Sequence, residues 1–214
     1  MKKTKMVAAL LVTACAVSAL TGCVKVVKIG EEGALTGEVA FDASQNVADI
    51  WDSQALPELE GKAVDLTEFL TEANGDLTSL ADKYGKYSMG TSGELSYVVK
   101  GKGTVDAVDT TKKAGFMTVT LDGYTGPAVV KIQVGTVFKA SAVRDSLSFI
   151  KYEDYQNQVQ WAEVSKSIHS LLQQNVIDPA DVNSLAGQKI SFTGCFTVSG
   201  NDELLITPVV LKAE

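Results

Sequence analysis

The chain has 214 residues and a formal net charge of −7 at pH 7, with 26 acidic and 19 basic side chains. This acidic balance argues against nucleic acid as a partner, because nucleic-acid binding depends mainly on lysine and arginine contacts to phosphates. The single histidine leaves no second imidazole for a histidine metal cluster, and we expect neither a metal nor another cofactor.

The first 22 residues have the layout of a secretory signal peptide. A basic start over residues 1–5 precedes an apolar run over residues 6–20, and small residues follow it. The Leu-Thr-Gly-Cys sequence that ends at Cys23 resembles the lipobox of bacterial lipoproteins, in which the chain is cut before an acylated cysteine. The alternative is an uncleaved anchor, but about 15 apolar residues are fewer than the roughly 18 of a spanning helix. We therefore expect the acyl groups of Cys23 to anchor the protein in the lipid bilayer.

Residues 23–41 and 42–87 differ in the spacing of their apolar side chains. The first range is short of large apolar residues and contains several glycines, so we expect a tether that leads from Cys23 to the folded part. In the second range, Val47 and Trp51 begin a series at the three- and four-residue spacing of one helix face. This pattern predicts a small helical subdomain, whose first helix ends at Pro57.

Residues 88–214 are rich in valine and threonine, and turn-forming residues separate the apolar runs. We predict five strands, with one long helix over residues 152–176 between the third and the fourth. The predicted strands cover residues 94–108, 115–122, 127–137, 188–198 and 203–211. Gly101 and Gly103 would allow the long first strand to bend. This order is typical of the OB-fold, so the predicted class is α+β: an OB-like five-stranded β-barrel (β-β-β-α-β-β) after a small helical subdomain.

Polar side chains around Arg144 are candidates for a ligand site. Arg144 is the only arginine of the chain, and a guanidinium suits bidentate recognition of a carboxylate or a phosphate. Amide side chains follow on the predicted helix and can both donate and accept hydrogen bonds. The predicted ligand-binding set consists of Gln133, Lys139, Arg144, Asn157 and Gln158. The alternative is a structural role, in which Arg144 pairs with Asp145 or binds a carbonyl where the barrel meets the helix.

Two other reactive side chains lack a catalytic context. We expect His169 to be partly exposed on the long helix. We expect Cys195, in an apolar and strand-like run, to be a buried small residue rather than a reactive thiol. The sequence contains no nucleophile-elbow, phosphate-loop or calcium-loop motif. We therefore expect that the protein is not an enzyme.

Several short segments of the predicted barrel form a recognisable set. They are residues 103–106, 108–110, 132–135, 137–139, 144–150, 157–158, 192–194 and 204–209. Together they resemble a domain-of-unknown-function family of predicted periplasmic lipoproteins, over roughly residues 88–211 and the lipobox. Members of that family are thought to be encoded beside sugar-type ABC importers, so the resemblance implies an accessory role in uptake. It carries over no catalytic residue, only Cys23 as the lipid site.

The expected function combines the lipid anchor with the OB-like barrel. We expect an extracytoplasmic lipoprotein, held by Cys23 in the cell membrane or the outer membrane, that binds a small solute, a glycan or an ABC transporter component. OB-folds often bind oligosaccharides on the second and third strands and the flanking loops, here residues 109–113 and 199–202. The alternative is a structural or assembly lipoprotein that docks a protein partner through residues 42–87.

Overall fold

The computed structural model describes residues 42–200 and 202–214. The predicted signal peptide, the lipidated Cys23 and the tether over residues 23–41 lie outside the described residues and stay predictions. Contacts within the chain place Phe41–Glu214 in one unit, in which helices pack against a sheet.

Short helices make up the first part of this unit. Asp42 accepts a hydrogen bond from the amide of Ser44 and caps the first helix, and Asp65 caps a later helix by accepting from two amides of its first turn. A two-residue strand, β1 (Val64–Asp65), interrupts the series. The helices are α1 (Ala43–Ile50), a π-helical turn (Trp51–Ala55), α2 (Leu56–Lys62), α3 (Leu66–Ala73), a 3-10 turn (Leu77–Leu80) and α4 (Ala81–Tyr84).

Pro57 begins a helix, whereas the sequence predicted that it would end one. The chain passes from α1 through the π-helical turn into α2, and Pro57 stands in the first turn of α2. Proline is tolerated there because the amide that it lacks would have no partner within the helix. The amide of Leu56 donates to the carbonyl of Trp51 and closes the π-helical turn.

The remaining strands form a sheet that closes on itself. They are β2 (Lys86–Met89), β3 (Ser92–Asp109), β4 (Phe116–Leu121), β5 (Val129–Gln133), β6 (Lys189–Thr197) and β7 (Glu203–Ala213). β3 pairs antiparallel with β2, β4 and β6, β4 pairs with β5, and β6 pairs with β7, all antiparallel. A parallel pairing of β5 with β7 completes the cycle. The order of the five long strands agrees with the prediction, but β5 ends at Gln133 because the chain turns away there.

Gly103 lies where β3 passes from one partner strand to another. Its backbone pairs with Leu121 of β4 and with Ile190 of β6. A Cβ at this position would lie 2.4 Å from the carbonyl oxygen of Thr120, which is too close for any side chain. Glycine is required by this approach of the two strands.

Two α-helices lie between β5 and β6 in the chain, together with a π-helical turn and three 3-10 turns (Tyr152–Asp154, Asp178–Ala180 and Val182–Leu185). α5 (Ala142–Ser146) is short, and α6 (Gln158–Leu172) continues into a π-helical turn (Gln173–Ile177). The predicted helix over residues 152–176 therefore begins later than expected. The physical reason is Asn157, whose side chain accepts hydrogen bonds from two amides of the first turn and caps α6.

Two apolar clusters join the helices to the sheet. In the first, the ring of Phe69 from α3 lies 4.8 Å from that of Tyr97 and 5.9 Å from that of Phe196. The second cluster contains residues of α1, the first π-helical turn, α5, α6 and the sheet, among them Trp51, Val143, Trp161, Ile168 and Cys195. Burial of each large apolar side chain contributes roughly 1.5–3 kcal/mol, so the helices and the sheet stabilise one another.

Candidate functional site

A groove lies on the outer face of β4 and β5, beside the loop that joins them. It encloses about 290 Å³, close to the lower end of the roughly 300–1,000 Å³ typical of small-molecule sites. Its walls combine polar and apolar side chains: Asp106, Thr118, Thr120, Tyr124, Pro127 and Val129. The groove lies on the second and third of the five long strands, as predicted for ligand binding, but no described residue of the two loops expected to take part, residues 109–113 and 199–202, lines it.

A β-bulge places Asp106 at this groove. Val105 and Ala107 pair with successive residues of β4, so Asp106 between them is the extra residue of the bulge. Its side chain is exposed, and Oδ2 accepts a 2.9 Å hydrogen bond from Oγ1 of Thr120. Bulges often re-aim a side chain beside a functional site. A carboxylate can accept several hydrogen bonds, so Asp106 can also accept bonds from a ligand.

Tyr124 lies at the end of the groove beside the loop between β4 and β5. Its ring is half-buried, and its Oη accepts a 3.4 Å hydrogen bond from the amide of Ala128. A Cβ on Gly126 would lie 2.2 Å from this Oη, so any side chain at position 126 would displace the outer end of the Tyr124 ring. Oγ1 of Thr67 in α3 donates to the carbonyl of Asp122 and holds the start of the loop. The aromatic ring is therefore fixed by its surroundings.

The outer face next to the groove carries a cation that is already compensated. Lys131 lies opposite Thr118 in the pairing of β4 with β5. Its Nζ lies 4.5 Å from the centre of the Phe116 ring and 2.6 Å from Oε2 of Glu203. Because the carboxylate of Glu203 balances this ammonium, Asp106 sets the charge of the groove.

Arg144 lies in the interior, away from the groove. Its Nε donates to Oδ1 of Asp145 at 2.8 Å, and its Nη1 donates to the carbonyl oxygen of Trp161 at 2.9 Å. The guanidinium also stacks 3.8 Å from the centre of the Trp161 ring. These contacts are those of the structural alternative, since Arg144 both pairs with Asp145 and binds a carbonyl. Ligand binding by Arg144 stays a prediction.

Burial dominates the electrostatics of Asp145. Its side chain is 0% exposed, and its Oδ2 receives no hydrogen bond from the described residues. Burial raises the pKa of this carboxyl, and the charge and hydrogen bond of Arg144 oppose that rise. Arg144 therefore compensates a carboxylate that would otherwise lie unpaired between α5 and α6.

The side chain of Gln133 forms hydrogen bonds with the backbone of Lys139. Nε2 of Gln133 donates to the carbonyl of Lys139 at 3.1 Å and to Oγ1 of Thr207 at 2.7 Å. The amide of Lys139 donates back to Oε1 of Gln133 at 2.6 Å. Gln133 is buried, whereas the side chain of Lys139 is exposed. The amide group of Gln133 thus holds the loop that follows β5.

The other two predicted ligand residues lie at the start of α6. Asn157 caps the helix through Oδ1, which accepts 3.0 Å hydrogen bonds from the amides of Val159 and Gln160. Gln158 is exposed. None of the five predicted residues lines the groove between β4 and β5. Gln133 and Lys139 are hydrogen-bonded to each other. No cavity in the described part of the chain is lined by all five predicted residues.

Neither Asp106 nor Tyr124 is among the ligand residues predicted from the sequence. Asp106 belongs to a segment that carries the family resemblance, and it is an acidic residue in a valine-rich strand. That composition is a weak signal, because a one-residue shift of register reverses which side chains face outward. The bulge that aims Asp106 outward depends on the partner strand and could not be read from the sequence.

Cys195 is shielded from solvent, whereas His169 is partly exposed, as the sequence predicted. Cys195 is 0% exposed, and burial raises the pKa of its thiol to about 12. The ring of His169 lies 5.1 Å from that of Phe138, and burial with the charge of Arg144 lowers the pKa of His169 to about 4. The prediction of a buried cysteine is confirmed. Within residues 42–200 and 202–214, no group of three or more metal-ligating side chains is positioned to hold a metal ion.

The closed strand order, the parallel β5–β7 pair and the helices between β5 and β6 define an α+β protein of the OB-fold class. The chain is similar to the crystal structure of an OB-fold protein from Thermotoga maritima, with a TM-score of 0.65 and 16% sequence identity. The likeness covers 82% of this chain and 100% of that chain. At this level of identity it concerns the fold alone.

The family follows from the sequence. The family model DUF2291, predicted periplasmic lipoprotein, matches residues 11–212. The chain therefore belongs to this family of extracytoplasmic proteins, which confirms the resemblance seen in the sequence. No curated protein matches the chain. The part of the chain that the structure describes contains no helix of the length and apolarity needed to cross a membrane.

Proposed function

We propose that the protein is a membrane-anchored extracytoplasmic lipoprotein that binds a small solute or glycan and acts as a non-enzymatic accessory of sugar-type ABC uptake. The observation that supports ligand binding is the groove on β4 and β5, at which the bulge places Asp106. This is the face on which an OB-like five-stranded β-barrel commonly binds oligosaccharides.

The chemistry of the groove favours a neutral ligand with several hydroxyl groups. Asp106 can accept hydrogen bonds, Thr118 and Thr120 can donate or accept them, and Tyr124 offers an aromatic ring. A carboxylate at the wall disfavours an anionic ligand by like-charge repulsion. A neutral sugar satisfies these conditions, because its hydroxyls can donate to Asp106 and its apolar face can pack on Tyr124.

The proposed anchor is the set of acyl groups on Cys23. One acyl chain holds a protein at a membrane only marginally, and stable anchoring needs more than one. Lipidation at Cys23, with residues 23–41 as a tether, would hold the OB-like domain near the membrane surface. The proposal covers an anchor in either the cell membrane or the outer membrane.

The proposed role in ABC uptake rests on the resemblance to the family. Members of that family are thought to be encoded beside sugar-type importers. In this role the protein would deliver its solute to, or contact, a transporter component. Docking of a protein partner through residues 42–87 receives less support. Among the described residues of that range, no large apolar side chain is exposed; Met89, which is exposed, lies just beyond it.

The test is a binding screen on the full lipidated chain in detergent micelles. Neutral sugars are titrated and the thermal midpoint is followed, and each hit is then measured by calorimetry with the variant Asp106→Asn. Loss of a charged hydrogen-bond acceptor costs roughly 1.5–3 kcal/mol, which weakens the affinity about ten- to hundredfold. Asp82→Asn, which changes an exposed aspartate on α4, is the matched control and should bind like the unmodified protein. Equal affinity of both variants would contradict the proposed site.

A further inference from the structure

Three lysines line a second cavity, between the helices and the sheet. Lys62 of α2, Lys83 of α4 and Lys86 of β2 face a space of about 250 Å³, together with Ser96 and Ser146. The protein as a whole is acidic, with a net charge of −7. The positive charge that the three lysines bring to this cavity is therefore opposite in sign to the net charge of the protein. A bound anion would account for it.

Lys86 is the least compensated of the three. Its Nζ donates a 2.5 Å hydrogen bond to the carbonyl oxygen of Leu147. Among the described residues it forms no ion pair with a carboxylate. Burial and the charges of Lys62 and Arg144 lower the pKa of Lys86, and the charges of Asp145 and Glu58 oppose that change only in part. A half-buried ammonium with a single carbonyl acceptor still has two donors to offer.

Lys62 and Lys83 each have one carboxylate partner. Lys62 pairs with Glu58 and also donates to the carbonyl of Ser146 at 3.4 Å, while Lys83 lies 2.6 Å from Oε1 of Glu72. Two of the three cations are thus balanced one to one. The remaining charge belongs to Lys86, so the wall of the cavity has a net excess of one positive charge.

The backbone between Lys83 and Lys86 is held in place by close packing. A Cβ on Gly85 would lie 2.6 Å from Cδ1 of Leu95 and 2.7 Å from the carbonyl oxygen of Ala81. Glycine is therefore required where α4 ends and β2 begins. This close approach fixes the positions from which the two lysine side chains extend to the same cavity.

We propose that this cavity binds a small solute through one oxyanion, a carboxylate or a phosphate, with Lys86 as the principal cation and Lys62 beside it. Charge-assisted hydrogen bonds from an ammonium to such a group are roughly twice as strong as neutral ones. The bound anion balances the excess charge and accepts from the free donors of Lys86. The site is separate from the groove at Asp106, whose carboxylate disfavours anions, and it stands independently of the proposed sugar site.

A structural role for the same lysines makes a different prediction. Lys62 and Lys86 donate to the carbonyls of Ser146 and Leu147, at the end of α5, where cations interact favourably with the helix dipole. If this were their whole role, replacing Lys86 would lower stability and leave no anion affinity to lose. Anion affinity is therefore the readout that separates the two roles.

The experiment is calorimetry on the full lipidated chain in detergent micelles, in chloride buffer of fixed ionic strength. Sodium phosphate, sodium glucuronate and neutral glucose are the probes, and the two anions distinguish phosphate from carboxylate recognition. We expect saturable binding of at least one anion, weakened about tenfold or more by Lys86→Gln and retained by Lys86→Arg, since a charged hydrogen bond is lost in the first and kept in the second. Lys112→Gln, an exposed lysine on the loop after β3, is the matched control.

The proposal is overturned if neither anion binds saturably, or if Lys86→Gln binds as tightly as the unmodified protein. If Lys86→Gln does not fold, the anion affinity of Lys62→Gln is measured instead. In addition, the nuclear magnetic resonance signal of the Lys86 ammonium group in the unmodified protein must shift when the anion is added. Lys86→Gln should leave the binding of a neutral sugar at the groove unchanged, because Lys86 does not line it. Failure of this proposal can thus be told apart from failure of the sugar site.

Discussion

Replacement of Arg144 by alanine separates its structural role from the predicted ligand role. The change removes the hydrogen bond to Asp145, the hydrogen bond to the carbonyl of Trp161 and the stacking on the Trp161 ring. It also leaves the Asp145 carboxylate, 0% exposed, without its cation. We therefore expect a stability defect whether or not any ligand is present.

The magnitude follows from the burial of the pair. Removing one partner of a buried ion pair costs about 3–5 kcal/mol, because the other charge stays buried and uncompensated. For a protein of this size, each 1 kcal/mol lowers the thermal midpoint by roughly 2–4 °C. The expected decrease for Arg144→Ala is therefore about 6–20 °C.

The assay is denaturant unfolding of Arg144→Ala and the unmodified protein between pH 7 and pH 5. Burial already raises the folded-state pKa of Asp145 above its ordinary value of 3.8, and loss of Arg144 raises it further. A carboxyl with a raised folded-state pKa destabilises the folded state at pH values above that pKa. The stability defect should therefore be largest at pH 7 and should shrink as the pH falls and Asp145 takes up a proton.

Two controls accompany this assay. Lys151→Ala removes an exposed cation and should change the unfolding free energy by no more than about 0.5 kcal/mol. Asp145→Asn in the Arg144→Ala background removes the orphaned charge and should recover part of the loss. A defect below about 1 kcal/mol, unchanged between pH 7 and pH 5, would refute this account of the pair. Loss of ligand binding with that small defect would support the ligand role instead.

The remaining predictions concern His169 and Cys195. The pKa of His169 is about 4 in the folded state, against 6.5 ordinarily, so the unfolded state takes up the proton first and stability falls as the pH decreases from 6.5 toward 4. Unfolding measured at pH 7 and pH 5 should show a smaller decrease for His169→Gln, and an identical decrease would contradict the assignment. The thiol of Cys195, with a pKa of about 12 and 0% exposure, should resist alkylation at pH 8 until the protein is unfolded, as mass spectrometry can show. Rapid labelling of the folded protein would contradict its burial.

The order of the strands could be predicted because each apolar run is bounded by turn-forming residues. The role of Gly103 was also accessible, since two glycines in a long strand favour a bend. The start of α6 was placed too early because the cap at Asn157 competes with the apolar periodicity on which the prediction depended. Pro57 was misread for a similar reason: a proline can end one helix or begin the next, and the sequence alone does not distinguish the two.

The candidate site was harder to predict than the fold. Arg144 attracted attention as the only arginine, but its contacts to Asp145 and Trp161 depend on the packing of α5 against α6. Asp106 faces the groove because a bulge shifts the register of β3 against β4. The buried contacts of Arg144 and the outward direction of the Asp106 side chain both depend on tertiary contacts between segments far apart in the chain. Residue types and their spacing within one segment do not predict such contacts.

The most direct test of the account is to map the bound sugar on the isotope-labelled protein by nuclear magnetic resonance. We predict that the largest chemical-shift changes occur at Asp106, Thr118, Thr120 and Tyr124 when the neutral sugar found in the screen is added, and that Asp106→Asn abolishes them at the same concentration. Changes centred instead on Lys139 and Gln158, with none in the groove, would contradict a binding site on β4 and β5.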